Sequence, residues 1–305
     1  MLTSSKPAAI NLGYVLRLAL PIAILLIVGI PFGLGFMFMQ GLTFTGCALD
    51  GDPAARGIPR EEITFPSSEF DADYAGYFIA GDNGATIIVV PTLQTGRGDR
   101  MEEIVIYHEG GYNVLSYRAR TCFGARHSLG YAEVTAVGDA LAYLRTRPGV
   151  DMNRVAIHGF SAGGATALMA LARYPELRTA VAHGGYHDFS AVVDVSAAGM
   201  GMLSGLFVAG MDSAYRLTTG YDPSVLNPKQ AVVDAAPRPV LLVYGSREVS
   251  LPGARIMQSL APERVRLWEV PGAGHGDYVS IIGAEAYSRE VFGFLDAVFA
   301  SGRPS

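Results

Sequence analysis

The chain has 305 residues, half of them hydrophobic and only 17% charged, with a net charge of −5. That balance leaves no basic footprint for nucleic acid, and the charged share falls below the ~25% usual for soluble domains. Two cysteines, Cys47 and Cys122, are too few for a disulfide framework or a zinc site.

The apolar excess is concentrated at the start. Leu18 to Met39 is a run of 22 residues without a charge. As a helix it spans about 33 Å, enough for a ~30 Å hydrocarbon core. We read residues 18–40 as an uncleaved transmembrane helix and 1–17 as a cytoplasmic tail, since a signal peptide's apolar region usually runs only ~7–15 residues. Two readings stay open beside it. The small residues of "TGCALD" would suit a signal peptidase, and Gly46-Cys47 resembles a lipoprotein cleavage site, although Phe44 stands where a smaller aliphatic residue is usual. Lys6 and Arg17 precede the span, and Asp50 and Asp52 follow it before any basic residue. The positive-inside rule therefore keeps the N-terminus in the cytoplasm and puts the rest outside. An oxidising compartment would allow the cysteines to pair, but two unrelated free thiols are the expectation.

Residues 41–60, with "GDPAARGIPR", read as a linker, and 61–305 as one α/β domain. Strand-like stretches near Ile63–Phe65 and Tyr74–Ile79 come first. "ATIIVV" (Ala85–Val90) is a β-branched run of the kind a strand buried on both faces carries. A helix near Arg100–Glu109 and the strand Tyr112–Tyr117 follow. Glu133–Arg147 has Val134, Val137, Leu141 and Leu144 in one helical stripe, stopped by Pro148. Then come strand "RVAIHGF", helix "SAGGATALMALARY", strand "TAVAHG", strand "RPVLLVYG", a helix near Ala254–Leu260, strand "RVRLWEV" and a final helix near Ala284–Ala300. This alternation predicts a mostly parallel sheet covered by helices on both faces. One segment breaks it. Residues 187–231 separate two strands by far more than the ~2–6 residues of an ordinary α/β loop, and within them Ser196–Met211 is small and oily, with three methionines. An insert of this length reads as a lid or binding element.

The chemistry centres on "HGFSAGGA", His158–Ala165. The pattern G-x-S-x-G is weak alone in a glycine-rich chain. Here Ser161 directly follows a β-run and opens a helix of small residues, the arrangement a nucleophile elbow requires. Side chains at Gly159 or Gly163 would crowd such a turn, and Gly164 and Ala165 let the helix lie close. The Ala162 N–H, at the helix start, would face a developing oxyanion. Serine needs a base, and the base an orienting acid. Among the six histidines, His275 in "PGAGHGDY" falls between the last strand and last helix, at the C-terminal sheet edge where open α/β sheets keep their sites. His158 lies within a strand and reads as buried structure. His187 leaves a strand at the same edge and reads as lining the pocket, while His108 and His127 lie in surface-like stretches. For the acid, Glu248 in "LLVYGSREVSLP" is favoured over Asp277, which sits too close in sequence to His275 to point at its imidazole.

Taken in order, "YNVLSYRARTCFGA", "MNRVAIHGFSAGGATAL", "PVLLVYGSRE" and "VPGAGHGDY" resemble the landmarks of the alpha/beta-hydrolase superfamily. From about Glu61 onward the chain is most similar to membrane-anchored hydrolases and to catalytic domains of the prolyl-oligopeptidase type. The resemblance implies an alpha/beta-hydrolase fold with a lid insert near 187–231, Ser161 as nucleophile, His275 as base and then acid, and Glu248 as its orienter. Two positions depart from the pattern. Aspartate is usual where Glu248 stands, and the His-Gly that commonly supplies a second oxyanion donor is replaced by "PTLQTG". Pro91 has no N–H, so that donor would be Thr92 or Leu93.

The function expected is hydrolysis of a carboxylic ester or related acyl bond outside the cytoplasmic membrane. His187, Met200, Met202 and Phe207 are the expected substrate contacts, suited to an apolar acyl group. A peptidase of prolyl-oligopeptidase type and a non-catalytic membrane scaffold are the alternatives. No metal-ligand cluster or phosphate-cradling motif appears in the sequence, so neither metal nor cofactor is expected. The partners expected are a small or lipid-like ester and the membrane.

Overall fold

The computed structural model describes residues 12–47, 51–93, 100–197 and 199–301. Most of the predicted cytoplasmic tail lies outside the described residues. Helix α1 (Leu12–Ile24), a wider turn (Leu25–Gly29) and helix α2 (Ile30–Thr43) follow one another in helical geometry. Pro31, near the start of α2, lacks the N–H that would bond four residues back, and the backbone widens just before it. Ala19–Thr43 is long and apolar enough to cross a membrane, at about 38 Å.

The domain then runs β1 (Glu61–Pro66), β2 (Asp73–Ile79), β3 (Thr86–Val89), α3 (Met101–Glu109), β4 (Asn113–Tyr117), α4 (Glu133–Thr146), β5 (Val155–Phe160), α5 (Ala162–Arg173) and β6 (Leu177–His183). The insert follows as α6 (Phe189–Ala197), α7 (Ser204–Thr219) and α8 (Pro228–Asp234). The chain closes with β7 (Val240–Gly245), α9 (Leu251–Leu260), β8 (Val265–Val270), α10 (Tyr278–Ile282) and α11 (Ala284–Ser301).

Among the described residues the strands form one eight-stranded sheet in the order β1-β2-β4-β3-β5-β6-β7-β8. The β1/β2 and β2/β4 pairs are antiparallel and the rest parallel. β3 and β7 are buried along their whole length, as their β-branched and apolar runs require when helices cover both faces. On one face Val134, Val137, Leu141 and Leu144 of α4 join Leu168, Val232 and Met257 from α5, α8 and α9. On the other, Ile104 and Tyr107 of α3 meet Tyr287, Val291 and Leu295 of α11. Burying a side chain of this size contributes about 1.5–3 kcal/mol, so the two layers fix the sheet from both sides.

A third apolar core lies off the sheet. It joins Met39 of α2 to Phe207, Met211 and Tyr215 of α7 and to Leu129. The helices touch backbone to backbone, because a Cβ on Gly35 would lie 1.9 Å from the Phe207 carbonyl oxygen and one on Gly210 2.0 Å from that of Phe32. Only glycine fits at either position, the small-residue contact by which helices approach closely inside membranes. Both helices reach the domain at one loop. The His127 N–H donates to Thr43 O at 2.9 Å, and the Tyr215 hydroxyl donates to Ser128 O at 2.9 Å. They therefore run side by side in the same direction.

Two expectations are corrected here. Cys47 and Cys122 are not free thiols but form a disulfide with Cα atoms 4.5 Å apart. The cause is tertiary: docking of the α2 terminus on the 127–129 loop brings Cys47, just past that terminus, back to the domain. His127 is not a surface residue. It is buried beside Glu133, its Nδ1 accepting the Leu129 N–H at 2.8 Å. The insert, expected as a lid, lays α7 along α2 and sends α8 into the sheet's own core.

Candidate active site

The site begins where β5 ends. Ser161 adopts φ 55° and ψ −120° between β5 and α5. A non-glycine residue in that region stores about 1–3 kcal/mol of strain, which the surroundings must hold in place. They do so closely. The Ser161 N–H donates to His183 O on β6 at 2.8 Å. A Cβ on Gly159 would lie 2.0 Å from Gly163 O, and one on Gly164 2.8 Å from His183 O. The strained turn lifts the hydroxyl out of the helix start, where it makes no capping bond, and it meets His275 Nε2 at 3.2 Å.

His275 sits in the turn after β8, half exposed, its ring 4.6 Å from that of Phe160. Its Nδ1 faces Glu248 Oε2 at 2.9 Å. A carboxylate only accepts, so Nδ1 carries the proton and Nε2 presents its lone pair to the serine hydroxyl. Glu248 lies in the turn after β7 with its side chain buried. Its Oε1 accepts the Gly245 N–H at 2.7 Å and the Tyr278 hydroxyl, and its Oε2 also accepts the Ser250 hydroxyl at 3.0 Å. Burial pushes this carboxyl up. The hydrogen bonds from His275, Tyr278 and Gly245 more than offset that and hold it below its ordinary value, so it stays charged beside the imidazole. Asp277, the rival acid, instead accepts the Gly274 N–H at 2.7 Å and holds the histidine turn. The structure thus brings Ser161, His275 and Glu248 into one hydrogen-bonded line.

The Ala162 N–H is the first of α5, a position with no acceptor inside its own helix. The loop after β3 passes close to it, since a Cβ on Gly163 would stand 3.1 Å from Pro91 O. Thr92 and Leu93 follow on that loop, Thr92 buried and Leu93 packed against the third core. Residues 94–99 of the same loop lie outside the described residues.

The expected substrate contacts scatter. His187 packs its ring against Gly253 of α9 and lies 3.6 Å from Asp188. Phe207 is buried in the α2–α7 seam, 5.9 Å from the Phe38 ring. Met200 flanks the third core, and Met202 is fully exposed. The oily stretch turns toward α2 because Gly210 on one helix and Gly35 on the other let the backbones meet.

Sequence reasoning missed Tyr278, Ser250 and Phe160. Tyr278 follows His275 by three residues in a stretch already singled out, but its bond to a glutamate 30 positions away leaves no local signal. Beneath the elbow lies a buried polar layer. Tyr107 OH pairs with His158 Nδ1 and Tyr287 OH with His183 Nε2, each at 3.0 Å. Burial, with Arg100 second, pushes His158 down to about 3, and burial also drives His183 well below its ordinary value. Both stay neutral. Ligand atoms of Glu103, His158 and His183 converge within 4.8 Å, a donor set a metal ion could use. Glu103, however, is ion-paired with Arg100, whose charge opposes a cation there.

The wound sheet, its strand order and the serine at a strand-to-helix elbow define an alpha/beta hydrolase. Residues 123–300, more than half of the chain, match the prolyl oligopeptidase family, and the chain belongs to that family. No curated protein matches it at a significant level. Among solved structures, an esterase of Pyrococcus furiosus is similar with a TM-score of 0.66 and 18% identity, covering 84% of this chain and 98% of that one. An alpha/beta hydrolase from a Penicillium species has a TM-score of 0.60 and 19% identity, with 80% and 100% covered. The acylaminoacyl peptidase of Pyrococcus horikoshii has a TM-score of 0.56 and 16% identity, with 78% of this chain but 41% of that one covered.

Proposed function

We propose that the protein is a serine hydrolase that cleaves a carboxylic ester or related acyl bond through an acyl-enzyme on Ser161. The observation that carries this is the line Ser161 Oγ, His275 Nε2, His275 Nδ1, Glu248 Oε2, with contacts of 3.2 and 2.9 Å. In this mechanism His275 takes the hydroxyl proton as Ser161 Oγ attacks the carbonyl carbon. Glu248 steadies the imidazolium that results. The oxyanion of the tetrahedral intermediate takes the Ala162 N–H and one from Thr92 or Leu93. Collapse breaks the bond to the leaving group, which departs with the proton from His275. Water then gives its proton to His275 and attacks the acyl carbon, and the acid is released as Ser161 regains its proton.

The family match favours a peptidase as second reading. The ester reading draws support from the esterase likeness, which covers 98% of that chain, against 41% for the peptidase. We also read α1–α2 as a retained single-pass anchor with the N-terminus cytoplasmic and the domain outside. Cleavage would strip the apolar seam from Phe207 and Met211, and a thiol engaged in the Cys47–Cys122 bond is not open to lipid attachment.

The test is a fluorophosphonate probe on the full-length protein beside Ser161→Ala. Labelling of the parent and not the variant supports the nucleophile, and its failure on folded protein favours the scaffold. Ester and aminoacyl-amide panels then separate esterase from peptidase.

A further inference from the structure

We propose that the tip of the insert, residues 200–211, is immersed in the outer leaflet of the bilayer that α1–α2 cross. The anchor is then a two-helix wedge rather than a single span. The register supplies the first argument. Phe207 faces Gly35, Gly210 faces Phe32 and Phe36, and both helices run to the 127–128 loop. Ser204 therefore stands level with the first turn of α2, near the middle of the apolar segment Ala19–Thr43. A ~30 Å core takes about 20 helical residues. Even if it begins at Leu18, just after Arg17, it reaches Phe38, and the first two turns of α7 remain at hydrocarbon depth.

Polarity supplies the second argument, independent of the register. No residue from Val195 to Met211 is charged. Charge begins at Asp212, which pairs with Arg216, itself paired with Asp222. On α2 the first polar side chain is Gln40, abreast of that point. Two helices from distant parts of the chain thus change from apolar to polar at the same height, where an interface would lie.

Exposure and backbone accounting agree. Met202 is fully exposed and Leu203 is 39% exposed, and Leu34 and Met37 of α2 are exposed as well. Apolar side chains bared to water at a helix tip call for an apolar medium. Lipid tolerates few unsatisfied N–H groups, and in the turn before α7 three are satisfied internally. The N–H groups of Met200, Leu203 and Ser204 donate to Ala197 O, Met200 O and Gly201 O. Leu93, on the loop beside the elbow, packs against the same third core. The serine's sheet edge therefore borders the wedge. Resting on the hydrolase reading, this assigns as substrate an amphiphilic ester held in that leaflet, its chain in the lipid and its carbonyl at the surface.

The probe is Met202→Cys in the full-length chain, where both native cysteines are engaged in the disulfide. It is labelled with an environment-sensitive fluorophore and reconstituted into phosphatidylcholine vesicles. Glu285→Cys on exposed α11 is the control. Immersion predicts at least a fivefold stronger quench at 202 than at 285 by nitroxide lipids, and at least fivefold protection from aqueous iodide. Equal iodide access at the two sites overturns the wedge. For the substrate, Leu203→Glu should cut at least tenfold the ratio of activity on a vesicle-held long-chain ester to activity on dissolved acetyl ester. An unchanged ratio overturns the leaflet source. No hydrolysis of either ester by the parent protein overturns the enzymatic reading, and the depth measurement still decides the wedge.

Discussion

Replacing Ser161 by glycine should abolish turnover and at the same time make the fold more stable than Ser161→Ala does. The backbone there, at φ 55° and ψ −120°, is costly for any residue with a Cβ, by about 1–3 kcal/mol. Alanine keeps that cost and glycine removes it. Glycine in turn restores about 0.5–1 kcal/mol of freedom to the unfolded chain, so the net gain of Ser161→Gly over Ser161→Ala is about 0–2.5 kcal/mol, centred on about 1 kcal/mol. For a domain of this size each kcal/mol moves the melting midpoint by about 2–4 °C, giving a rise of up to about 10 °C. Both variants keep the main-chain bond to His183 O, so the difference isolates the strain. Turnover in both should fall by on the order of 10⁶, the scale for losing a triad nucleophile. Thermal unfolding of the two full-length variants in one detergent reads the stability, and hydrolysis of an activated ester reads the turnover. A glycine variant melting below the alanine variant would refute strain at the elbow.

Tyr278→Phe removes one donor to the Glu248 carboxylate, a bond to a charged group of about 1.5–3 kcal/mol. Turnover should fall by about 10- to 100-fold at constant KM, and an unchanged kcat would take Tyr278 out of the site. Replacing both cysteines by serine opens a link across 75 residues of sequence, which loop entropy values at about 4.5 kcal/mol. The melting midpoint should drop by about 9–18 °C, and a drop under about 3 °C would contradict that value. His158 and His183 are neutral when folded, His158 down to about 3, whereas each titrates near 6.5 once exposed. Their stability contribution is therefore complete above that pH and lost as pH falls below it, at about 1.4 kcal/mol per unit for each. Urea midpoints that stay level between pH 7 and 5 would count against the buried pair.

The strands were the most legible part of the chain. Runs such as "ATIIVV" and the "VLLVYG" of "RPVLLVYG" are rich in β-branched and apolar residues because both sheet faces are covered, and the observed β3 and β7 fall inside them. The α4 stripe was equally plain, since burial on one side imposes its own spacing. Ser161, Glu248 and His275 could be assigned to a common edge because strand ends in a wound sheet all point there. What the pattern could not reveal was the surface each face meets. The oily stripe of α7 has the same spacing whether it covers a pocket or lies along the apolar N-terminal helix, and only the close approach at Gly35 and Gly210 distinguishes the two. Likewise Tyr278 and the Cys47–Cys122 pair are joined by tertiary closure, which leaves no periodicity behind. His127 looked exposed because its neighbours Arg126 and Ser128 are polar, whereas Ser128 turns inward onto the buried Glu133.

The strand order has a practical consequence for anyone trimming the protein. The stretch shared with the family, 123–300, contains β5 to β8 but not β3, which is hydrogen-bonded to β5 along Thr86–Val89. Cutting at residue 122 would convert the middle of the sheet into a rim. Val155–Ile157, made to be covered on both sides, would then offer a bare row of amides to any neighbouring chain. Such a fragment carries all three residues of the serine–histidine–glutamate line and would still be expected to clump in the tube, so a shortened version for crystallisation should begin ahead of β1.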